Sequence, residues 1–312
     1  MTNDLTGLSD ALAETVSTSG AGVVRVEGRD RVPASGIIWS TDGIFVTAHH
    51  VLERDDNIAV GLPDRETLPA TLVGRDPTTD LAVLRVEGKA LSALEWADPD
   101  SLRVGHLALA LARPGKDVQA TMGIIGVLGS SWRTPAGGAV DRYLQADLVM
   151  PPGFSGGPLV GAGGKVLGLI TSALHRGVAM AIPLPTVERV IGLLLAHGRI
   201  QRAYIGVGSQ PARLPEALAE QLGQQTGLLV VSVEPDGPAA KGGLFLGDTL
   251  VSLDGKPLKH LDDLLESLDG DKIDQPLAVR LVRGGQLHDV TVTPSSRPNR
   301  SSPNSSAGNS EG

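Results

Sequence analysis

The segment Gly153-Phe154-Ser155-Gly156-Gly157-Pro158-Leu159-Val160, followed by Gly161-Ala162-Gly163-Gly164, admits three architectures. Glycines around a serine let the backbone turn sharply and free its N–H groups to face an oxyanion, while the hydroxyl itself needs a base beside it. An incidental serine in a glycine-rich hairpin would look the same. So would a G-x-S-x-G nucleophile elbow, which leads from a strand into a helix and is followed by an acid and then a histidine. Here 157–160 and 161–164 read as strand and turn. No good acid–histidine pair follows Ser155 before the domain ends, so any partners must lie upstream, in a β framework.

That framework is visible on both sides. Short apolar runs at 23–26, 36–39, 45–47, 58–62, 72–73 and 81–86 are separated by Gly, Pro, Asp and Asn, and several alternate with period two. The pattern resumes at 107–111, 123–128, 143–149, 159–160, 166–171 and 179–182. Roughly twelve strands in two similar sets predict two barrels. Residues 9–17 predict a short helix capped by Ser9, with Asp10 in its first turn. Residues 186–197 carry Val187, Val190, Ile191, Leu194 and Leu195 at helical spacing, with Gly198 as the C-cap. The expected organisation is an N-terminal segment (1–20), a double-barrel domain (21–198), a small α+β domain (199–294) with a helix near 260–268, and a tail (295–312). The tail, mostly Ser, Pro, Asn and Gly with little apolar surface, is expected to be disordered.

Composition excludes several classes. The chain has 312 residues, 41% of them hydrophobic, and a formal net charge of −8. No basic run offsets that charge, which opposes dedicated nucleic-acid binding, where phosphates are met by Lys and Arg. There is no cysteine, hence no disulfide, thiolate metal site or thiol nucleophile. His106, His175, His197, His260 and His288 are scattered, and no metal or cofactor is expected. Aromatics number eight, so the cores must be aliphatic. Residues 1–20 hold Asp4, Asp10 and Glu14 but no Lys, Arg or apolar run, and no run approaches the length of a membrane span. The expectation is a cytoplasmic protein.

Upstream of Ser155, Thr47-Ala48-His49-His50-Val51 places two histidines after an apolar strand, and in an extended strand they would face opposite sides. Thr79-Asp80-Leu81-Ala82-Val83-Leu84 places an aspartate before another strand. A lone histidine or a pre-strand aspartate is more often structural. His, Asp and Ser in this chain order, 30 and then 75 residues apart, are the order of the chymotrypsin-type triad.

With these motifs the chain resembles the HtrA (Deg) family of serine proteases over about residues 5–294. The implied fold is mainly β, a chymotrypsin-like double β-barrel followed by a small α+β PDZ domain. The family pattern T-N-x-H-V assigns the catalytic histidine to His50. The resemblance makes Ser155 the nucleophile, His50 the general base and acid, and Asp80 the group that fixes the imidazole. It places the oxyanion hole at the N–H groups of Gly153 and Ser155. Phe154 stands where the family usually has Asn. Thr171 falls where a hydroxyl sits near the triad aspartate. Val149, six residues before the nucleophile, is expected at the base of the S1 pocket, favouring Val, Ala, Leu or Ile at P1; Asp147 is the residue that could overturn this. Tyr204-Ile205-Gly206-Val207 matches the PDZ carboxylate-binding loop, with the helix near 260–268 as the other groove wall. The loop at 130–141, with Arg133, matches a loop that couples PDZ occupancy to the active site. The implied activity is ATP-independent endoproteolysis of unfolded or damaged proteins, with PDZ recognition of hydrophobic C-termini. The alternatives are a catalytically silent PDZ-containing binding or holding protein and, third, an α/β-hydrolase esterase. The implied partners are unfolded polypeptides and C-terminal peptides. The family trimerises through N-terminal aromatic residues and none precedes Trp39, which leaves the homo-oligomeric state open.

Overall fold

The computed structural model describes residues 2–88, 91–175, 177–200, 203–268 and 270–296. The chain divides into two units, Met1–Ile200 and Gln201–Gly312.

The first unit opens with helix α1 (Thr2–Gly20), twice the length expected from residues 9–17. Ser9 therefore lies inside the helix and not at its cap. The periodic part marks only the docked face: Leu12 and Val16 pack on the core, whereas Leu5 and Leu8 are exposed. Thr15 and Ser19 donate to the carbonyls of Ala162 and Gly164, both at 3.0 Å, which ties the helix to the glycine-rich turn. Six strands follow: β1 (Val23–Glu27), β2 (Ala34–Ile38), β3 (Ile44–Ala48), β4 (Ile58–Gly61), β5 (Thr67–Asp76) and β6 (Leu81–Arg85). They close into a barrel in the order β1-β2-β3-β6-β5-β4. Next come β7 (Leu107–Ala112) and β8 (Gln119–Leu128), then a small hairpin of β9 (Trp132–Arg133) and β10 (Ala139–Val140). The strands β11 (Leu144–Asp147), β12 (Pro158–Gly161), β13 (Val166–Thr171) and β14 (Ala179–Ile182) complete a second closed barrel with β7 and β8, ordered β11-β14-β13-β12-β7-β8.

Strand alternation divides the core. In β7, Leu109 and Leu111 face the large aliphatic cluster that includes the first barrel, while Ala108, Ala110 and Ala112 face a separate cluster inside the second. Helix α2 (Leu184–His197) buries Val187, Val190, Ile191 and Leu194 against the same large cluster and ends at Gly198, whose φ of +69° suits the left-handed C-cap.

The second unit holds β15 (Ala203–Tyr204), β16 (Val207–Arg213), α3 (Glu216–Leu222), β17 (Thr226–Val233), α4 (Pro238–Lys241), β18 (Thr249–Leu253), β19 (Lys256–Pro257), α5 (Leu261–Ser267), β20 (Leu277–Arg283), β21 (Gln286–Val292) and β22 (Ser295–Ser296). Its main sheet runs β16-β17-β18-β20-β21, with β19 on β18. Ser295 and Ser296, placed in the tail on composition, instead pair with Tyr204 and Ala203. The remainder of that tail, 297–312, lies outside the described residues. The carboxylate of Asp248 is buried. It accepts from Arg283 Nε and Nη2, both at 2.8 Å, and from the Phe245 N–H at 2.8 Å.

Candidate active site

Strand β3 stops at Ala48, and His49–Val51 form one turn of 3-10 helix. The two histidines are therefore separated by a helical step and not by the two faces of a strand. Asp80 sits in the left-handed region at φ +59°, tolerated by a short polar side chain. It ends a turn built by its own neighbours: Asp76 accepts from Thr78 N–H, Thr78 Oγ1 and Thr79 Oγ1 at 3.0, 2.6 and 2.7 Å. This turn aims the Asp80 carboxylate, 3% exposed as a residue, at the 3-10 turn. Oδ1 accepts the His50 N–H at 2.8 Å, Oδ2 meets His50 Nδ1 at 2.8 Å, and Oδ2 also accepts from Thr171 Oγ1. Thr171 is thus beside the aspartate, at the end of β13. His49 points elsewhere. Burial, and then the Arg75 guanidinium, holds its imidazole below the ordinary value, and its buried Nδ1 has no hydrogen-bond partner among the described residues.

Ser155 comes from the loop between β11 and β12, on the second barrel. Gly153 has φ +96°, and a Cβ there would lie 2.6 Å from Pro114 Cβ and 2.9 Å from Pro33 O. Gly156 has φ +88°, and a Cβ would lie 2.2 Å from Ser35 O. Both positions require glycine. Among the described residues, neither the Gly153 nor the Ser155 N–H donates a hydrogen bond, so two neighbouring donors stay free beside the Ser155 hydroxyl. The loop is held by other means. Phe154 is 1% exposed and fills the alanine-lined interior of the second barrel, among Ala112, Ala146, Ile125 and Leu159. Ser35, fully buried in β2 of the first barrel, donates from Oγ to Gly153 O at 2.8 Å and from its N–H to Ser155 O at 3.3 Å. Ser35 Oγ also accepts the Arg113 N–H at 2.8 Å.

His50 and Ser155 both line a cavity of about 350 Å³. Ser155 Oγ lies 3.2 Å from Ser172 Oγ; no hydrogen bond joins it to the imidazole. Met150, Pro151 and Pro152 form an apolar wall of this cleft, and Arg29, Arg31 and Val32 form another. Val149 does not line it. The expectation that Val149 floors an S1 pocket is corrected: β11 ends at Asp147, Thr121 Oγ1 holds the Val149 carbonyl at 2.8 Å, and the Val149 side chain is 73% exposed. Asp147 is also exposed and outside the cleft. Sequence reading missed Ser35, Ser172 and the two arginines. The one available signal was Ser35, a polar residue in an apolar strand, which must find partners when buried.

In the second unit, Tyr204-Ile205-Gly206-Val207 bridges β15 and β16. Gly206 has φ +78°, and the carbonyls of Ile205 and Gly206 accept from Ala239 and Glu234 at 2.7 and 2.8 Å. The N–H groups of Ile205 and Gly206 donate to no described residue. Strand β16 is an edge of its sheet, bonded on one side to β17, and α5 lies next to it. His260 N–H donates to Asp263 at 2.8 Å, closing a capping box on α5. Arg133 Nη1 donates to Gly137 O within its own hairpin. That hairpin rests on the Asp80 turn: Thr134 Oγ1 donates to Thr78 O at 2.6 Å.

Comparison with known proteins agrees with this architecture. The trypsin-like peptidase domain model matches residues 34–169 and the PDZ domain model matches residues 203–293. A probable periplasmic serine endoprotease, DegP-like, from Ectopseudomonas mendocina is 36% identical over 284 residues, covering 89% of this chain and 59% of its own. The protein of the same description from Pseudomonas savastanoi is 34% identical, covering 95% and 64%. The chain thus spans about three fifths of the length of these relatives. Among solved structures, the HtrA-type protease AlgW with a tripeptide is 31% identical with a TM-score of 0.74, covering 92% of this chain and 97% of that one. The serine endoprotease from Yersinia pestis is 28% identical with a TM-score of 0.76, covering 92% and 98%. The curated relatives are named periplasmic, which overturns the cytoplasmic location expected from residues 1–20. Residues 2–20 form helix α1, which packs Leu12 and Val16 on the core. No described helix is long and apolar enough to cross a membrane.

Proposed function

The chain belongs to the HtrA (Deg) family of serine proteases, and from that premise we propose that it is a serine endopeptidase in which Ser155, His50 and Asp80 act as one triad. The observation that carries this reading is the pairing of His50 Nδ1 with the buried Asp80, which leaves Nε2 as the free face of an imidazole lining the same cleft as Ser155. Nδ1–H bonded to Asp80 makes Nε2 the basic nitrogen. Rotation of the Ser155 hydroxyl away from Ser172 and toward Nε2 readies it for attack. Ser155 Oγ then adds to the scissile carbonyl as His50 takes its proton, and the imidazolium formed is stabilised by Asp80. The free Gly153 and Ser155 N–H groups face the developing oxyanion; one such donor contributes about 3–4 kcal/mol to the transition state. His50 next protonates the leaving amine, and water releases the acyl group by the same route. The apolar wall of Met150, Pro151 and Pro152 favours an aliphatic P1 residue.

Unfolded polypeptides are the substrate class, because an endopeptidase has to seat an extended stretch of chain across its nucleophile. The PDZ unit binds hydrophobic C-termini: the Ile205 and Gly206 N–H groups take the carboxylate, and the peptide adds as a strand to the free edge of β16. Arg133 and its hairpin couple PDZ occupancy to the active site through the contact with Thr78. The holding-protein alternative is not favoured, since His50 is bonded to Asp80 and lines the same cleft as Ser155. The test is digestion of β-casein by the wild type and Ser155→Ala, with and without a hydrophobic C-terminal peptide. Cleavage by the wild type alone supports the triad, and stimulation by the peptide supports coupling. Equal inactivity of both proteins would overturn the enzymatic reading.

A further inference from the structure

One wall of the cleft has no part in this chemistry. The β1–β2 connection brings Arg29 and Arg31 into the same cavity as His50 and Ser155. Arg31 is already paired, with Nη2 at 2.7 Å and Nε at 2.9 Å from Glu53 Oε1. Arg29 is not. Its Nε donates to Val32 O at 2.7 Å inside its own turn, and among the described residues no carboxylate lies within ion-pair distance of its guanidinium. Burial, and then the neighbouring Arg31, holds this group below its ordinary value, although an arginine stays charged throughout. With Nε committed, the two Nη groups remain as a fork, the geometry that receives a carboxylate.

The position of the wall says which part of a substrate meets it. Glu53 lies three residues after His50. Its N–H donates to Gly28 O at 2.9 Å and its carboxylate holds Arg31, so the β1–β2 turn is fastened to the His50 side. The leaving amine must take its proton from His50, so the chain downstream of the scissile bond runs along that wall. We propose that Arg29, flanked by Arg31, forms a subsite for an Asp or Glu side chain just downstream of the scissile bond; this rests on the endopeptidase reading above. In a chain of net charge −8, a local cation is what admits an acidic segment to the cleft.

The test is a set of quenched fluorescent peptides with one cleavable core and Asp, Ala or Lys at P1′, P2′ or P3′. The wild type is expected to show about a tenfold higher kcat/KM for Asp than for Lys at one of these positions, as for one charge-assisted contact. Arg29→Glu inverts the Asp/Lys ratio and Arg29→Gln brings it near one; because the ratio is taken within each variant, any general loss of activity cancels. A wild-type ratio near one at all three positions, or a ratio unmoved by both substitutions, overturns the subsite. Binding of the same peptides to Ser155→Ala by fluorescence anisotropy separates the two readings. If the wild type cleaves nothing while Ser155→Ala prefers the Asp peptide, the endopeptidase reading falls and Arg29 stands only as a binding site for an acidic side chain. If every peptide is cleaved at one rate, the reverse holds. Indifferent or absent binding overturns the subsite in either case.

Discussion

The two barrels have the same strand number and the same closed form, yet they hold their shares of the site by opposite means. The first fixes His50 and Asp80 with polar bonds: the Asp76 turn shapes the backbone at Asp80, which then grips both the main chain and the ring of His50. The second cannot tie down the Gly153 and Ser155 N–H groups that way. In the proposed mechanism these groups must stay unpaired to serve an oxyanion, so bonding them internally would remove that use. The loop is instead pinned by an apolar plug, Phe154, and by the Ser35 hydroxyl, which bonds the Gly153 carbonyl and spares its N–H. A group that must be oriented can be tied down by its own hydrogen bonds. A group that must remain a free donor has to be held through its neighbours.

The largest expected effect tests whether the barrels act as one machine. Ser155→Ala and His50→Ala are each expected to lower kcat by about 10⁶, and the double variant by no more than either alone. Multiplicative losses in casein or peptide assays would mean that the two barrels contribute independently. Phe154→Ala removes the plug and is expected to cost about 3–5 kcal/mol in chemical unfolding of the protease unit, with kcat falling more than KM rises. An unchanged kcat in the folded variant would break the claim that the plug shapes the loop. Ser35→Ala is expected to cost about 1–3 kcal/mol, because it strands the buried Gly153 carbonyl and Arg113 N–H. If Phe154→Ala and Ser35→Ala destabilise additively, the two anchors work separately; coupling of a cycle between them would sharpen the picture of one shared loop.

The smallest effect lies in the PDZ unit, where an acid–base pair has a structural task only. Burial pushes the Asp248 carboxyl up, but the bonds from Arg283 and the Phe245 N–H outweigh it and hold the group below its ordinary value. A depressed carboxyl stabilises the fold above its unfolded value of about 3.9, and that contribution is lost as the pH falls through the lower folded value. The melting temperature of the PDZ unit is therefore expected to fall with acid below about pH 4, and Asp248→Asn to flatten this dependence. Identical pH profiles for the two proteins would rule the pair out as the cause.

Local signals in the chain determined the strand framework, helix α2, the position of α5 and the glycine–serine loop, since each depends on alternation, helical spacing or turn chemistry over a few residues. They also marked His50, Asp80 and Ser155, through motifs read with a family resemblance. Only the tertiary structure decided the rest. Helix α1 extends past its amphipathic part because its docked turns, held by Thr15 and Ser19, support turns with no periodicity of their own. Val149 left the expected pocket because β11 ends at Asp147, a boundary that spacing from Ser155 does not encode. Ser35 bonds to a residue 118 positions away, and Arg29 shares a cleft with His50 because Glu53 fastens one turn to another. Contacts of this kind depend on how closed barrels bring distant segments together, and no local pattern carries that information.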